Sequence, residues 1–123
     1  MKKLFVLLTA SAALAASIGS CSKNKTDIPC TATADTVNTY NKTVKSILDA
    51  HCAFGGCHDA ATAASGIVLD SYAAAKDAAT NQSNFFCVID WTCGPRMPQG
   101  AAQPLPDSLI NLIKLWRDNC LAQ

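Results

Sequence analysis

The sequence predicts an all-α domain of about three helices joined by long loops, over residues 39–123 of the 123-residue chain. Three observations favour this fold class. Apolar side chains recur at three- and four-residue steps in two separate segments, which is the spacing of one helix face. An alanine-rich segment between them follows a serine that can cap a helix. The sequence contains no internal repeat and no convincing hairpin pattern.

The first helix is predicted over residues 40–53, with Thr39 as a candidate cap. Its apolar face carries Val44, Ile47, Leu48 and Cys52. The glycine pair 55–56 follows as a natural helix breaker.

A second, short helix is predicted over residues 72–80, capped by Ser71 and preceded by the apolar segment 66–69. Residues 81–106 are interrupted by proline and glycine in their second half and predict mostly loop. The last helix is predicted over residues 107–119. Its apolar face carries Leu109, Leu112, Ile113 and Trp116. A loop as long as 81–106 is unusual in a compact domain and tends to be functional, so a large apolar cofactor would give it a surface to pack against.

Residues 1–20 read as a secretory signal, with two lysines, an apolar run and then small residues. The apolar run is too short for a permanent membrane span. Its end, Ile18-Gly19-Ser20-Cys21, resembles the lipobox of bacterial lipoproteins, which implies that Cys21 carries a lipid anchor. The alternative is a soluble secreted protein that is cleaved nearby. Residues 21–38 are polar and predict a tether between the lipid and the domain.

Charge and cysteine content limit the possible functions. Removing residues 1–20 deletes two lysines and no acid, so the formal charge changes from +1 to −1 and gives no basic face for nucleic acid. An exported chain can keep disulfides. Without Cys21, six cysteines remain, which could form three disulfides, or two disulfides beside a pair with another role.

The segment HCAFGGCHDA, residues 51–60, contains both histidines of the chain. Cys52 and Cys57 followed by His58 are a lengthened form of the C-x-x-C-H motif of covalent haem attachment. The two thiols would bind the porphyrin, and His58 would be the proximal iron ligand. Because the spacer has four residues rather than two, it must loop outward, which the two glycines permit.

Met97 is the only methionine left after the signal, and it lies in PRMPQG within the long loop. A thioether is a good second axial ligand for haem iron and raises its potential. The alternative is that Met97 fills a gap in the core, which is the common role of methionine.

The order VKSILDAHCAFGGCHD, SGIVLDSY, RMPQG and LPDSLINLIKLWRDN resembles the small cytochrome-c-like domains of bacterial exported lipoproteins, over roughly residues 40–120. The resemblance implies one covalent haem c on Cys52 and Cys57, with His58 and Met97 as the iron ligands. It also implies that Trp116 packs near the haem. The expected function is single-electron transfer between redox partner proteins in the cell envelope, with the domain facing the periplasm or the cell exterior.

The chain departs from that family in several ways. The spacer of the haem motif is longer than its commonest form, and Pro106 stands where the family often has a capping serine or threonine. Four further cysteines are not part of the motif. We expect Cys30 to pair with Cys120 and Cys87 with Cys93, although other pairings of these four remain open.

Two other kinds of site fit the same residues. Cys52, Cys57 and His58, with His51 or another cysteine, could bind zinc, although a second close cysteine pair is missing. A haem-free lipoprotein binding module would instead join Cys52 to Cys57 in a disulfide. His51 is expected to be a partly exposed residue at the end of the helix. No set of residues indicates a hydrolytic enzyme, and the chain contains no glutamate.

Overall fold

The computed structural model describes residues 36–123, and that part of the chain is helical without a β-strand. A π-helical turn, Tyr40–Val44, continues directly into α1, Lys45–His51. A short 3-10 turn, Ala64–Gly66, precedes α2, Tyr72–Asn81. The remaining helices are α3, Phe85–Ile89, and α4, Asp107–Asp118. The predicted all-α class is confirmed.

The predicted signal segment, Cys21 and Cys30 lie outside the described residues, as does most of the predicted tether. Asn38, at the end of that tether, is buried in the domain. Its side chain donates to the Leu112 carbonyl at 3.0 Å, and its own carbonyl accepts from the Asn119 side chain at 2.9 Å. Among residues 36–123, no helix is long and apolar enough to cross a membrane.

The core lies where the start of the domain packs against α4. Tyr40 and Trp116 are fully buried, with ring centroids 6.0 Å apart. The Ala122 carbonyl accepts two hydrogen bonds at 2.8 Å, one from the Tyr40 amide and one from the Trp116 indole. These contacts join the first helical turn, the last helix and the C-terminal residues. Aromatic pairs of this kind contribute about 0.5–1.5 kcal/mol beyond the area that they bury.

The first two helices begin at the predicted caps. The Thr39 hydroxyl accepts from the Lys42 amide, and the Ser71 hydroxyl accepts from the Ala74 amide, both at 3.4 Å. The first helix ends at His51, two residues earlier than predicted, and Cys52 caps its C-terminal end. In α2, Ala75 and Ala78 are buried, so the side facing the core consists of small residues.

The prediction of mostly loop over residues 81–106 missed α3. Phe85, Val88 and Ile89 of this one-turn helix are buried at helical spacing. Its apolar run is too short and too continuous for periodicity to distinguish a helix from a strand or a loop. Cys87, inside this helix, forms a disulfide with Cys93, which lies just after it, with an S–S distance of 2.03 Å. This is the pairing expected from the sequence.

The last helix, α4, covers the predicted segment. Pro106 stands at its N-cap without a capping side-chain bond. Ile110, Ile113 and Trp116 form its buried face, so Ile110 belongs to the core although the sequence pattern omitted it. Cys120, just after this helix, is disulfide-bonded, and its expected partner Cys30 lies outside the described residues.

An ion pair between Asp90 and Lys114 links the end of α3 to α4. The carboxylate accepts from Lys114 Nζ at 2.6 Å and from the Thr92 hydroxyl at 2.6 Å. These two hydrogen bonds lower the pKa of Asp90 to about 2, and the bond from Lys114 has the larger effect. Because this pKa is lowered, the ion pair stabilises the folded state at pH values above the ordinary carboxyl pKa of about 4. That stabilisation is lost as the pH falls toward 2.

We therefore expect Asp90→Asn to lower the thermal unfolding midpoint by a few degrees at pH 7, with the difference from wild type shrinking between pH 4 and pH 2. Asp49→Asn is the matched control. It removes a Lys45–Asp49 pair of the same 2.6 Å length whose side chains are both 45% exposed, where ion pairs contribute little. Equal shifts of the unfolding midpoint in the two variants, or a shift for Asp90→Asn that does not depend on pH, would show that the Asp90–Lys114 ion pair does not stabilise the fold.

Candidate functional site

A cavity lies between the end of α1, the loop that follows it, α3 and the loop before α4. The cavity has a volume of about 180 Å³ and is open to solvent. Well-packed domains contain few voids larger than one water molecule, which needs only about 10–15 Å³. The size of this cavity in a small domain makes it the candidate binding site.

The residues predicted to form the site meet in this cavity. Cys52, Cys57 and His58 line it from the loop after α1, and Met97 lines it from the loop before α4. All four are half-buried, so each combines contact with the cavity and packing against the domain. His51 is half-buried at the end of α1, as expected, and also lines the cavity.

The four-residue spacer leaves the helix and returns to it. The Cys57 amide donates to the Phe54 carbonyl at 3.0 Å, which closes a turn, and the His58 amide donates to the Cys52 carbonyl at 3.0 Å. Gly56, inside that turn, has a φ of +88°, a left-handed conformation that favours glycine. The extra length of the motif is therefore absorbed in a turn, while the residues at its two ends stay in contact.

Hydrogen bonds to the residues that follow hold this turn in place. The Gly56 amide donates to the Thr62 hydroxyl oxygen at 3.0 Å, and the Ala64 amide donates to the Cys57 carbonyl at 2.9 Å. Hydrogen bonding by the Thr62 side chain, followed by backbone amides, holds the pKa of Asp59 below its usual value. The loop around the cysteines is thus supported by the residues that follow it as well as by the end of α1.

His58 is oriented by a bond to a carbonyl. Its Nδ1 lies 3.1 Å from the Ile67 carbonyl oxygen, and its own carbonyl accepts from the Leu69 amide at 2.8 Å. Because a carbonyl can only accept, this contact requires the proton on Nδ1, which in the neutral ring leaves the lone pair on Nε2. Metal-ligating histidines are typically oriented by such a bond from the other ring nitrogen. The tautomer of His58 therefore suits an iron ligand through Nε2.

Cys52 and Cys57 are both free thiols. Burial, and next the charge of the neighbouring Cys57, raise the pKa of the Cys52 thiol to about 11. Attachment to the vinyl groups of haem requires two free thiols, and both are present here. The haem-free alternative requires them to be joined.

Met97 is held through its backbone. Its amide donates to the Val88 carbonyl of α3 at 2.9 Å, and its carbonyl accepts from the Trp91 indole at 2.8 Å. Both backbone groups of the candidate ligand are thus satisfied by the chain at the end of α3. The Met97 side chain takes no part in these hydrogen bonds. It packs against the core and lines the cavity.

The remaining walls are mostly apolar. Leu48, Phe85 and Ile113 line the cavity, while Gln82, Asn84 and Gln99 provide polar groups. No aspartate, glutamate, lysine or arginine is among the described residues that line it. These walls suit a large apolar ring system with a few polar groups at its edge.

Trp116 is fully buried in the core and is not among the residues that line the cavity. Phe85, Val88 and Ile89 of α3 do line the cavity, although sequence reasoning had assigned them to a loop. The continuous apolar run of this segment is the sequence signal that could have indicated a buried wall.

A zinc site on these residues is not formed in the observed arrangement. Among residues 36–123, no three His, Cys, Asp or Glu side chains are grouped closely enough to bind one metal ion. A haem iron held by one histidine and one methionine would not produce such a group, so this finding concerns only the zinc alternative.

No protein-family model matches the chain, and no curated protein or solved structure is significantly similar to it. The interpretation of the site therefore depends on the geometry of the described residues.

The left-handed turn at Gly56 can be tested without a cofactor. Gly56→Ala is expected to lower the free energy of unfolding of the haem-free domain by about 1–2 kcal/mol, because a Cβ disfavours this backbone conformation. No atom would clash with that Cβ, so backbone strain is the only cost. Chemical denaturation followed by circular dichroism measures the effect.

Gly55→Ala is the matched control, since Gly55 has equal open space around it and no positive φ. We expect Gly55→Ala to be neutral or slightly stabilising. If both alanine variants are equally stable, the spacer does not depend on a left-handed residue at Gly56.

Proposed function

We propose that the domain is a membrane-tethered c-type cytochrome that carries single electrons between redox partner proteins of the cell envelope. The observation that carries the proposal is the meeting of Cys52, Cys57, His58 and Met97 in one largely apolar cavity. Met97 is remote from the other three in sequence, so nothing in the local motif requires it to be there.

The chain's own residues divide the work of holding haem c. Cys52 and Cys57 would form the two thioether bonds, and His58 would bind the iron through Nε2 while Nδ1 donates to Ile67. Met97 would hold the iron through its thioether sulfur. The bound haem supplies a one-electron couple between ferric and ferrous iron.

The protein's contribution is to exclude water and to limit reorganisation. Apolar walls such as Leu48 and Phe85 lower the polarity around the site, and the thioether of Met97 would favour the reduced state of a bound haem iron. The cavity is open to solvent, and Phe54, one of the residues that line it, is 46% exposed. An electron could therefore reach a cofactor bound there without a large movement of the fold.

Residues outside the described part of the chain complete the proposal. A lipid on Cys21 would anchor the protein to a bacterial membrane, with the domain facing the periplasm or the exterior. The polar segment before the domain would set its distance from the membrane. The competing function is a haem-free binding module stabilised by disulfides.

Covalent haem is the first test. Protein produced together with a cytochrome c maturation system should give a pyridine haemochrome spectrum, and the double variant Cys52→Ala/Cys57→Ala should give none. The control Cys87→Ala/Cys93→Ala removes the cysteine pair outside the cavity and should keep covalent haem. A wild-type protein without haem under these conditions would refute the cytochrome assignment and favour the haem-free module.

Axial ligation is the second test. Met97→Ala should abolish the Met–iron charge-transfer band of the oxidised protein and lower the reduction potential by at least about 60 mV, a tenfold change for a one-electron couple. Gln99→Ala, which changes another cavity residue of the same loop, should retain the band. Persistence of the band in Met97→Ala would show that a different residue is the ligand.

A further inference from the structure

Trp91 has a backbone conformation that is unusual for a bulky side chain. It lies just after α3, half-buried, and its backbone has a φ of +60°. A bulky side chain in the left-handed region is rare, and such strain concentrates at functional sites. Trp91 does not line the cavity, so any role in the site must act through another residue.

The residues on both sides of Trp91 are fixed. Asp90 is bonded to Lys114 of α4 and to the Thr92 hydroxyl, each at 2.6 Å. Cys93 is joined to Cys87 of α3, and its amide donates to the Cys87 carbonyl at 3.2 Å. The turn from Asp90 to Cys93 is thus held to two helices, which maintains the unfavourable conformation of Trp91.

The indole ring of Trp91 makes one contact through its N–H group and another through its face. Its Nε1 donates to the Met97 carbonyl at 2.8 Å, and the Arg96 guanidinium lies over the ring with 5.1 Å between Cζ and the ring centroid. Met97 is held from its other side by the bond from its amide to the Val88 carbonyl. Hydrogen bonds therefore hold both the amide and the carbonyl group of Met97.

We propose that Trp91 is a positioning residue for Met97: its indole N–H holds the Met97 backbone so that the thioether stays on the iron. The inference depends on the proposed cytochrome function. If the bond to Trp91 is lost, Met97 should leave the iron more often. An added ligand then competes more easily, because its apparent affinity rises with the fraction of open sites.

The test uses wild-type and Trp91→Phe holoprotein, produced with a cytochrome c maturation system and titrated with imidazole in the oxidised state. Loss of the Met–iron charge-transfer band reports displacement of Met97. Trp91→Phe keeps an aromatic ring but removes the donor. We expect it to bind imidazole about five to ten times more tightly than wild type, the change that a lost hydrogen bond of ordinary strength produces.

Trp116→Phe is the matched control. The Trp116 indole also donates at 2.8 Å to a carbonyl six residues later, that of Ala122, but this bond lies in the core away from the cavity. Trp116→Phe should lower thermal stability while leaving imidazole affinity within about twofold of wild type. An equal rise in both variants would mean general loosening of the domain and would overturn the positioning role.

Other outcomes separate this inference from the proposed function. If Trp91→Phe carries haem and shows the wild-type imidazole affinity, the positioning role is wrong and the cytochrome assignment remains. If wild type carries no haem, both are overturned. If Trp91→Phe does not fold, Arg96→Ala decides, because it removes only the exposed group stacked on the indole. It should raise imidazole affinity about twofold to threefold, and an unchanged affinity would refute the role.

Discussion

The hydrogen bond from the His58 amide to the Cys52 carbonyl is the contact on which the site depends. It returns the chain to the end of α1 after a spacer that would otherwise separate the two cysteines. Gly56 makes the return possible through its left-handed backbone, and Thr62 and Ala64 hold the turn from outside. With that closure, the positions of Cys57 and of the His58 ring follow from the position of α1. The motif behaves as an extension of the helix rather than as a loose loop.

The two sides of the cavity are built by different means. The cysteine side depends on local hydrogen bonds within residues 52–69, which end with the Ile67 carbonyl that orients His58. The methionine side depends on α3, the Cys87–Cys93 disulfide and the attachment of Asp90 to α4. Both sides are finally held by the core of Tyr40 and Trp116, where the two ends of the domain meet.

The helices with clear periodicity could be predicted from the sequence, and so could the caps Thr39 and Ser71, because these signals are local. Helix α3 could not, since a single apolar turn has no period to read. The gathering of Cys52, His58 and Met97 was anticipated only through motif and resemblance, whereas their contacts depend on tertiary packing. Trp91 was not anticipated at all: its positive φ and its bond to Met97 exist only in the folded chain. The apolar helix position of Trp116 predicts its burial, whereas the neighbours that surround it follow from tertiary packing.

The raised pKa of Cys52 bears on how such a site could survive in an oxidising compartment. Disulfides form by attack of a thiolate, and the thiolate fraction falls tenfold for each unit by which the pKa exceeds the pH. Burial raises the pKa of Cys52 to about 11, so a smaller fraction of this thiol is ionised at pH 7 than of an ordinary exposed cysteine. The burial that forms the cavity wall thus also slows attack by Cys52 on other disulfides. Under the proposed function, the same apolar environment that would receive the haem also makes one of its two attachment points less prone to disulfide exchange.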